Sequence, residues 1–184
     1  MKIYSYFLTF GLLVIGLTLS IPAKSKQDLT QNYLSATNDS LYTINNQLTL
    51  KAANILAEKA RTYAKSLNKL VAVAVVDGGG NILLINRDNG TGPHNADAAR
   101  IKAYTSMSTK SATLVLGRNA KSNPDTENLA TVSGLLLLGG GVPIFDGDKV
   151  IGAIGIAGGG GPIDDDNIAK YAVLELLKIK STKN

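Results

Sequence analysis

At 184 residues without a single cysteine, the chain excludes disulfide staples, thiolate catalysis and cysteine-held zinc or iron–sulfur sites, so its fold must rest on its core. Its 19 basic and 14 acidic residues give a formal charge of +5, but no lysine- or arginine-rich run accompanies them and aromatics are sparse. That excludes the clustered basic footprint of a nucleic-acid binder, and one histidine excludes a metal site built from several imidazoles.

Residues 1–25 read as a signal peptide. Lys2 supplies a positive start, residues 7–19 are almost uncharged and apolar, and Ala23-Lys24-Ser25 offers small residues where a signal peptidase reads. The apolar run is shorter than the roughly 20 residues that a spanning helix needs, so cleavage is expected to leave no stable membrane insertion. The location expected from this is secreted or periplasmic. Without Lys2 and Lys24, 17 basic residues face 14 acidic ones. Residues 26–47, rich in Gln, Asn, Ser and Thr, read as a polar linker, and residues 48–180 as the domain.

Within the domain, Leu48-Thr49-Leu50 opens a helix with Thr49 as N-cap. Ala53, Leu56, Ala57, Ala60, Tyr63, Ala64 and Leu67 recur at three- and four-residue spacing and form its apolar face. Residues 70–76 and 82–85 are apolar runs joined by the turn Asp77-Gly78-Gly79-Gly80-Asn81, which predicts a β-hairpin. A Gly/Pro-rich turn at residues 89–93 then leads to His94, with Asn95 as the expected N-cap of a helix over residues 95–109. Lys102 on that helix is expected to face solvent. A short helix over residues 111–116 precedes a polar loop, residues 117–129, that carries Pro124. Residues 142–145 and 149–157 predict a second hairpin, and a last helix covers residues 164–178. Helix, hairpin, helices, hairpin, helix is the pattern of an α+β fold: an antiparallel sheet of two hairpins packed with helices. Gly152 and Gly155 inside the last strand point to close packing of a helix on the sheet.

Four stretches carry a family resemblance: Val73-Ala74-Val75-Val76-Asp77-Gly78-Gly79-Gly80-Asn81-Ile82-Leu83, Ala99-Arg100-Ile101-Lys102-Ala103-Tyr104-Thr105, Gly139-Gly140-Gly141-Val142-Pro143-Ile144, and Ile151-Gly152-Ala153-Ile154-Gly155-Ile156-Ala157-Gly158-Gly159. In order and over about residues 48–177, they resemble the GlcG/HbpS family, also called the haem-degrading domain family. The resemblance implies an α+β domain, homo-oligomeric assembly, haem as cofactor and, in some members, slow haem degradation. Iron ligands differ between members, so the resemblance transfers none.

Haem iron takes His, Tyr, Cys or Met as axial donor, which leaves His94, Met107 and the tyrosines here. His94 is the best placed by sequence, since the glycine–proline turn exposes it; a plain surface histidine is the alternative. Tyr104 is the second donor candidate, or a half-buried packing residue. Arg87 and Arg100 suit haem propionates or another carboxylate, or else make ordinary ion pairs. Gly158 and Gly159 give the backbone a place to approach a ligand closely, while Asp164-Asp165-Asp166 suit a helix N-terminus rather than a phosphate cradle. The expected function is an exported, oligomeric haem-binding protein with a small-molecule site at His94. The alternatives are an enzyme or accessory protein that grips a small organic acid of the glycolate type through Arg87 and Arg100, and an assembly module without ligand.

Overall fold

The computed structural model describes residues 45–181, so the signal peptide and all but the end of the polar linker lie outside the described residues. The elements are α1 (Leu50–Ser66), β1 (Ala72–Asp77), β2 (Ile82–Arg87), α2 (His94–Thr109), α3 (Thr113–Ser122), a 3₁₀ turn (Glu127–Thr131), β3 (Gly141–Asp146), β4 (Lys149–Ala157) and α4 (Pro162–Ser181). The sheet runs β2-β1-β4-β3, antiparallel throughout, which is the α+β arrangement of two hairpins that the pattern predicts.

Alternation along β1 splits the core into two unequal layers. Val73 and Val75 join Leu56, Ala60, Ile154, Ile168 and Ala172 beneath α1 and α4. Ala72, Ala74 and Val76 face Ala99, Ala103, Ala153 and Ala157 beneath α2. The second layer is made almost wholly of small side chains, so α2 lies very close to the sheet. Gly155 is the extreme case: a Cβ there would sit 2.0 Å from the carbonyl oxygen of Ala99 and 2.7 Å from the amide nitrogen of Ala103. Helix packing therefore explains this strand glycine, as the sequence suggests.

Local chemistry explains the element ends. The Thr49 hydroxyl accepts the Ala52 N–H at 3.2 Å and caps α1. Asp77 organises the β1–β2 turn: its Oδ1 accepts the N–H groups of Gly79 at 2.8 Å and Asn81 at 2.9 Å, while Gly80 takes φ +81°. Burial pushes the Asp77 carboxyl up, but hydrogen bonds from the Asn81 main chain and side chain, from Gly79 and from Gly80 outweigh it and hold it below the ordinary value. A lowered folded-state pKa contributes stability above the unfolded value near 3.9, lost as pH falls through the folded one. We expect Asp77→Asn to cost about 1–3 kcal/mol at pH 7, and the deficit to shrink as pH falls below the ordinary carboxylate range, read from urea midpoints at successive pH values. An unchanged deficit in acid would contradict the charge assignment.

Three boundaries differ from the sequence expectations. Helix α2 starts at His94 with Pro93, φ −59°, in the cap position, because proline is already set for helical φ. The Asn95 side-chain amide instead donates to the Gly92 carbonyl at 3.2 Å. Helix α3 runs on to Ser122, through residues expected to be loop. Gly117 does not break it, because that glycine is there for closeness: a Cβ would meet the Leu137 carbonyl oxygen at 2.4 Å. The last helix begins at Pro162 and reaches Ser181, longer at both ends than expected.

Candidate haem site

The turn before α2 is tied down at both ends. Asp88 accepts the Val71 N–H at 3.1 Å and pairs with the Arg61 guanidinium at 2.6 Å, and its carbonyl accepts the Thr91 N–H at 3.1 Å. Arg87, exposed on the edge strand β2, donates its guanidinium to the Thr91 carbonyl. Gly158, at φ +99°, closes the other side, where a Cβ would meet Thr91 Cγ2 at 3.0 Å and the Leu70 carbonyl oxygen at 3.2 Å. The Asn89-to-Pro93 bend is therefore stiff, and His94 stands exposed at its end, as the first residue of α2. Its ring folds back over Gly92, where a Cβ would fall 2.9 Å from His94 Cε1.

Along α2, His94, Asp97, Ile101 and Tyr104 recur at three- and four-residue spacing, opposite the buried Ala99, Lys102, Ala103 and Ser106. Arg100 flanks this outward stripe and holds the Asp97 carboxylate at 2.9 Å. Tyr104 is 39% exposed and, with Met107, lies over Gly80 of the β1–β2 turn. In the β1–β2 register, Ile82, Ile85 and Arg87 stand opposite Val76, Ala74 and Ala72, on the α2 face of the edge strand. Ile82 and Ile85 are exposed there, so apolar surface adjoins α2.

The structure thus brings His94, Arg87 and Gly158 to one end of this face, with Arg100 and Tyr104 further along α2. Gly159 is separate: it is buried, its N–H goes to Asp165 at 2.7 Å and its carbonyl accepts from Lys69. Lys102 is a correction. It is 1% exposed, with its ammonium on the Asp165 carboxylate at 2.7 Å and on the Ile156 carbonyl at 2.9 Å. The face of α2 on which it lies is buried and partly polar. Thr105 accepts the Leu136 N–H at 2.9 Å and Ser106 donates to the Ser111 carbonyl at 2.9 Å. Sequence reading missed this network because apolar periodicity cannot show a buried face made of lysine, threonine and serine. Burial pushes the Asp165 carboxyl up, against the attraction and hydrogen bond of Lys102 and the N–H of Gly159.

Four grooves lie elsewhere. One of about 560 Å³ runs between α1 and β2 past Arg61, Asn86 and Asp88; a more apolar one of about 380 Å³ is lined by Leu48, Ile144, Phe145 and Leu176. Neither His94, Arg100 nor Tyr104 lines any of the four. Among the described residues no group of three or more His, Asp or Glu is placed to hold a metal ion, and no helix is long and apolar enough to cross a membrane. The α2 surface nevertheless fits a tetrapyrrole in its donor chemistry: an exposed imidazole, one guanidinium on the edge strand and another further along α2, and exposed apolar side chains. The Thr91 hydroxyl, buried three residues before His94, has no hydrogen-bond partner.

A family model described as haem degrading protein HbpS-like matches residues 48–174. The chain belongs to this HbpS-like family. Among solved structures, a double mutant of Streptomyces reticuli HbpS is 32% identical with a TM-score of 0.70, over 74% of this chain and 92% of that one. Klebsiella pneumoniae ORFY is 28% identical with a TM-score of 0.71, over 75% and 96%. A PduOC complex with haem is 25% identical with a TM-score of 0.65, over 70% and 94%. The HbpS-like family match therefore spans residues 48–174, and a structure that shares the fold has been solved with haem.

Proposed function

We propose that this HbpS-like protein binds haem, or a related tetrapyrrole, on the outward face of α2. His94 supplies the axial nitrogen, Arg87 and Arg100 meet the propionates, and Ile82, Ile85 and Tyr104 offer apolar surface to the macrocycle. Gly158 keeps the bend before His94 narrow. The bound haem supplies redox chemistry; the chain's own residues hold it and fix its orientation. Export and assembly into homo-oligomers belong to the same proposal; the signal-like N-terminus supports the first and the family resemblance the second.

One observation carries the reading: the sole histidine stands exposed at the end of a braced turn, in a fold shared by a structure solved with haem. Titration with haem is expected to give a shifted Soret band. His94→Ala should weaken binding by roughly tenfold or more, since even supporting residues of metal sites change affinity by 10- to 100-fold. A spectrum identical to free haem at equimolar protein would reject the site.

A further inference from the structure

The groove between α1 and β2 lies on the α1 side of the sheet, away from α2: Asn86, which lines it, stands opposite Val73 of the α1 and α4 core layer. At about 560 Å³ it has the size of a small-molecule site. Asn54, Glu58, Arg61 and Lys65 line its helical wall at intervals of four, three and four, which is one stripe of α1, and Asn86 and Asp88 line the other wall.

Two of the four charges cancel. Arg61 holds the Asp88 carboxylate at 2.6 Å, and that carboxylate also accepts the Val71 N–H at 3.1 Å, which fixes both groups in place. Glu58 and Lys65 remain. Both are exposed, and neither side chain has an ion-pair partner among the described residues. They stand two helical turns apart, so a negative and a positive group are separated by about 10 Å along the groove. Asn86 adds a third point: its Oδ1 is shielded from water yet accepts no hydrogen bond. A shielded acceptor without a donor is costly, and a ligand that brings an N–H removes that cost.

We propose that this groove binds a short peptide with free termini, about three residues long and extended. Its ammonium meets Glu58, its carboxylate meets Lys65, and a main-chain N–H between them donates to Asn86 Oδ1. Reach sets the length: an extended chain spans about 3.3–3.6 Å per residue, so three residues cover about 10 Å, whereas a single amino acid meets only one of the two charges. The site is independent of the haem reading, because no residue of α2 lines it.

Calorimetric titration of the purified protein with trialanine tests the site. Trialanine should bind once per chain, more weakly as salt is raised, and alanine alone should bind far less tightly. N-acetylation or C-terminal amidation of trialanine should each weaken binding about two- to fivefold, the scale of one exposed ion pair. Glu58→Gln should reproduce the loss from acetylation and Lys65→Gln that from amidation, with no further loss when variant and matching blocked peptide are combined. Both positions are exposed, so the variants keep the fold. Asn86→Ala should weaken all three peptides alike. No binding of trialanine at millimolar concentration would overturn the proposal. So would equal binding of the free and blocked peptides, binding of alanine as tight as that of trialanine, or affinities unchanged in all three variants.

Discussion

Gly155→Ala is expected to remove a large part of the protein's stability and lower its melting midpoint steeply. The added Cβ would lie 2.0 Å from the Ala99 carbonyl oxygen, 3.0 Å from its carbon and 2.7 Å from the Ala103 nitrogen. All three are backbone atoms of α2, so no side-chain rotation relieves the contact. Nor can the strand shift, because Gly155 pairs with Ala74 on one side and Gly141 on the other in the middle of the sheet. Helix α2 must lift, and the alanines beneath it are too small to fill the gap. We estimate a cost of about 4 kcal/mol or more, the exceptional end of single substitutions, against a total stability of about 5–15 kcal/mol. Gly78→Ala is the matched control: its nearest contacts are ordinary at 3.4 Å, so it should stay within about 0.5 kcal/mol of wild type. Thermal melts followed by circular dichroism decide the matter; a Gly155→Ala midpoint within a few degrees of wild type would show that α2 is not seated as described.

Lys102→Met should cost about 3–5 kcal/mol, because it strands the Asp165 carboxylate in the interior without its counter-charge. The pair links α2 to the Gly158–Gly161 turn and to the first turn of α4 through Asp165 Oδ1 on the Gly159 N–H. Replacing both partners, as in Lys102→Met with Asp165→Leu, should recover part of the loss, since the second change removes the orphaned charge. The pH dependence has a definite sign. Asp165 has a raised folded-state pKa, so its contribution is fully present below the unfolded value near 3.9 and declines as pH rises through the folded one. Without Lys102 that pKa rises further. The deficit of Lys102→Met should therefore shrink on acidification from pH 7 towards pH 4.5. Denaturant midpoints of the two single variants and the double variant, at both pH values, test the cycle. A deficit that grows in acid would place the charge elsewhere.

Both residues bear on the haem proposal because α2 carries His94, Arg100 and Tyr104. The helix is held from below by backbone contact at Gly155 and from its flank by Lys102, while His94 and Asp97 at its start stay exposed. A surface offered in this way is rigid before any ligand arrives, which lowers the ordering cost of binding.

The readable parts of this chain were those governed by neighbours in sequence. Apolar spacing in α1, the Thr49 cap, the β-branched run of β1 and the Asp77 turn are set by interactions spanning at most a few residues, so pattern alone locates them. From them follow two hairpins and their helices, hence the α+β class, and the exposure of His94 after the Gly92-Pro93 bend. Tertiary contact decided the rest. The burial of Lys102 depends on Asp165, 63 residues away, and the seat of Gly159 on that same carboxylate and on Lys69. The continuation of α3 through Gly117 depends on a carbonyl at Leu137. Whether a lysine is a solvated charge or half of an interior ion pair, and whether a glycine breaks a helix or lets one pack, is settled by the partner across the fold. Local sequence carries no trace of that partner.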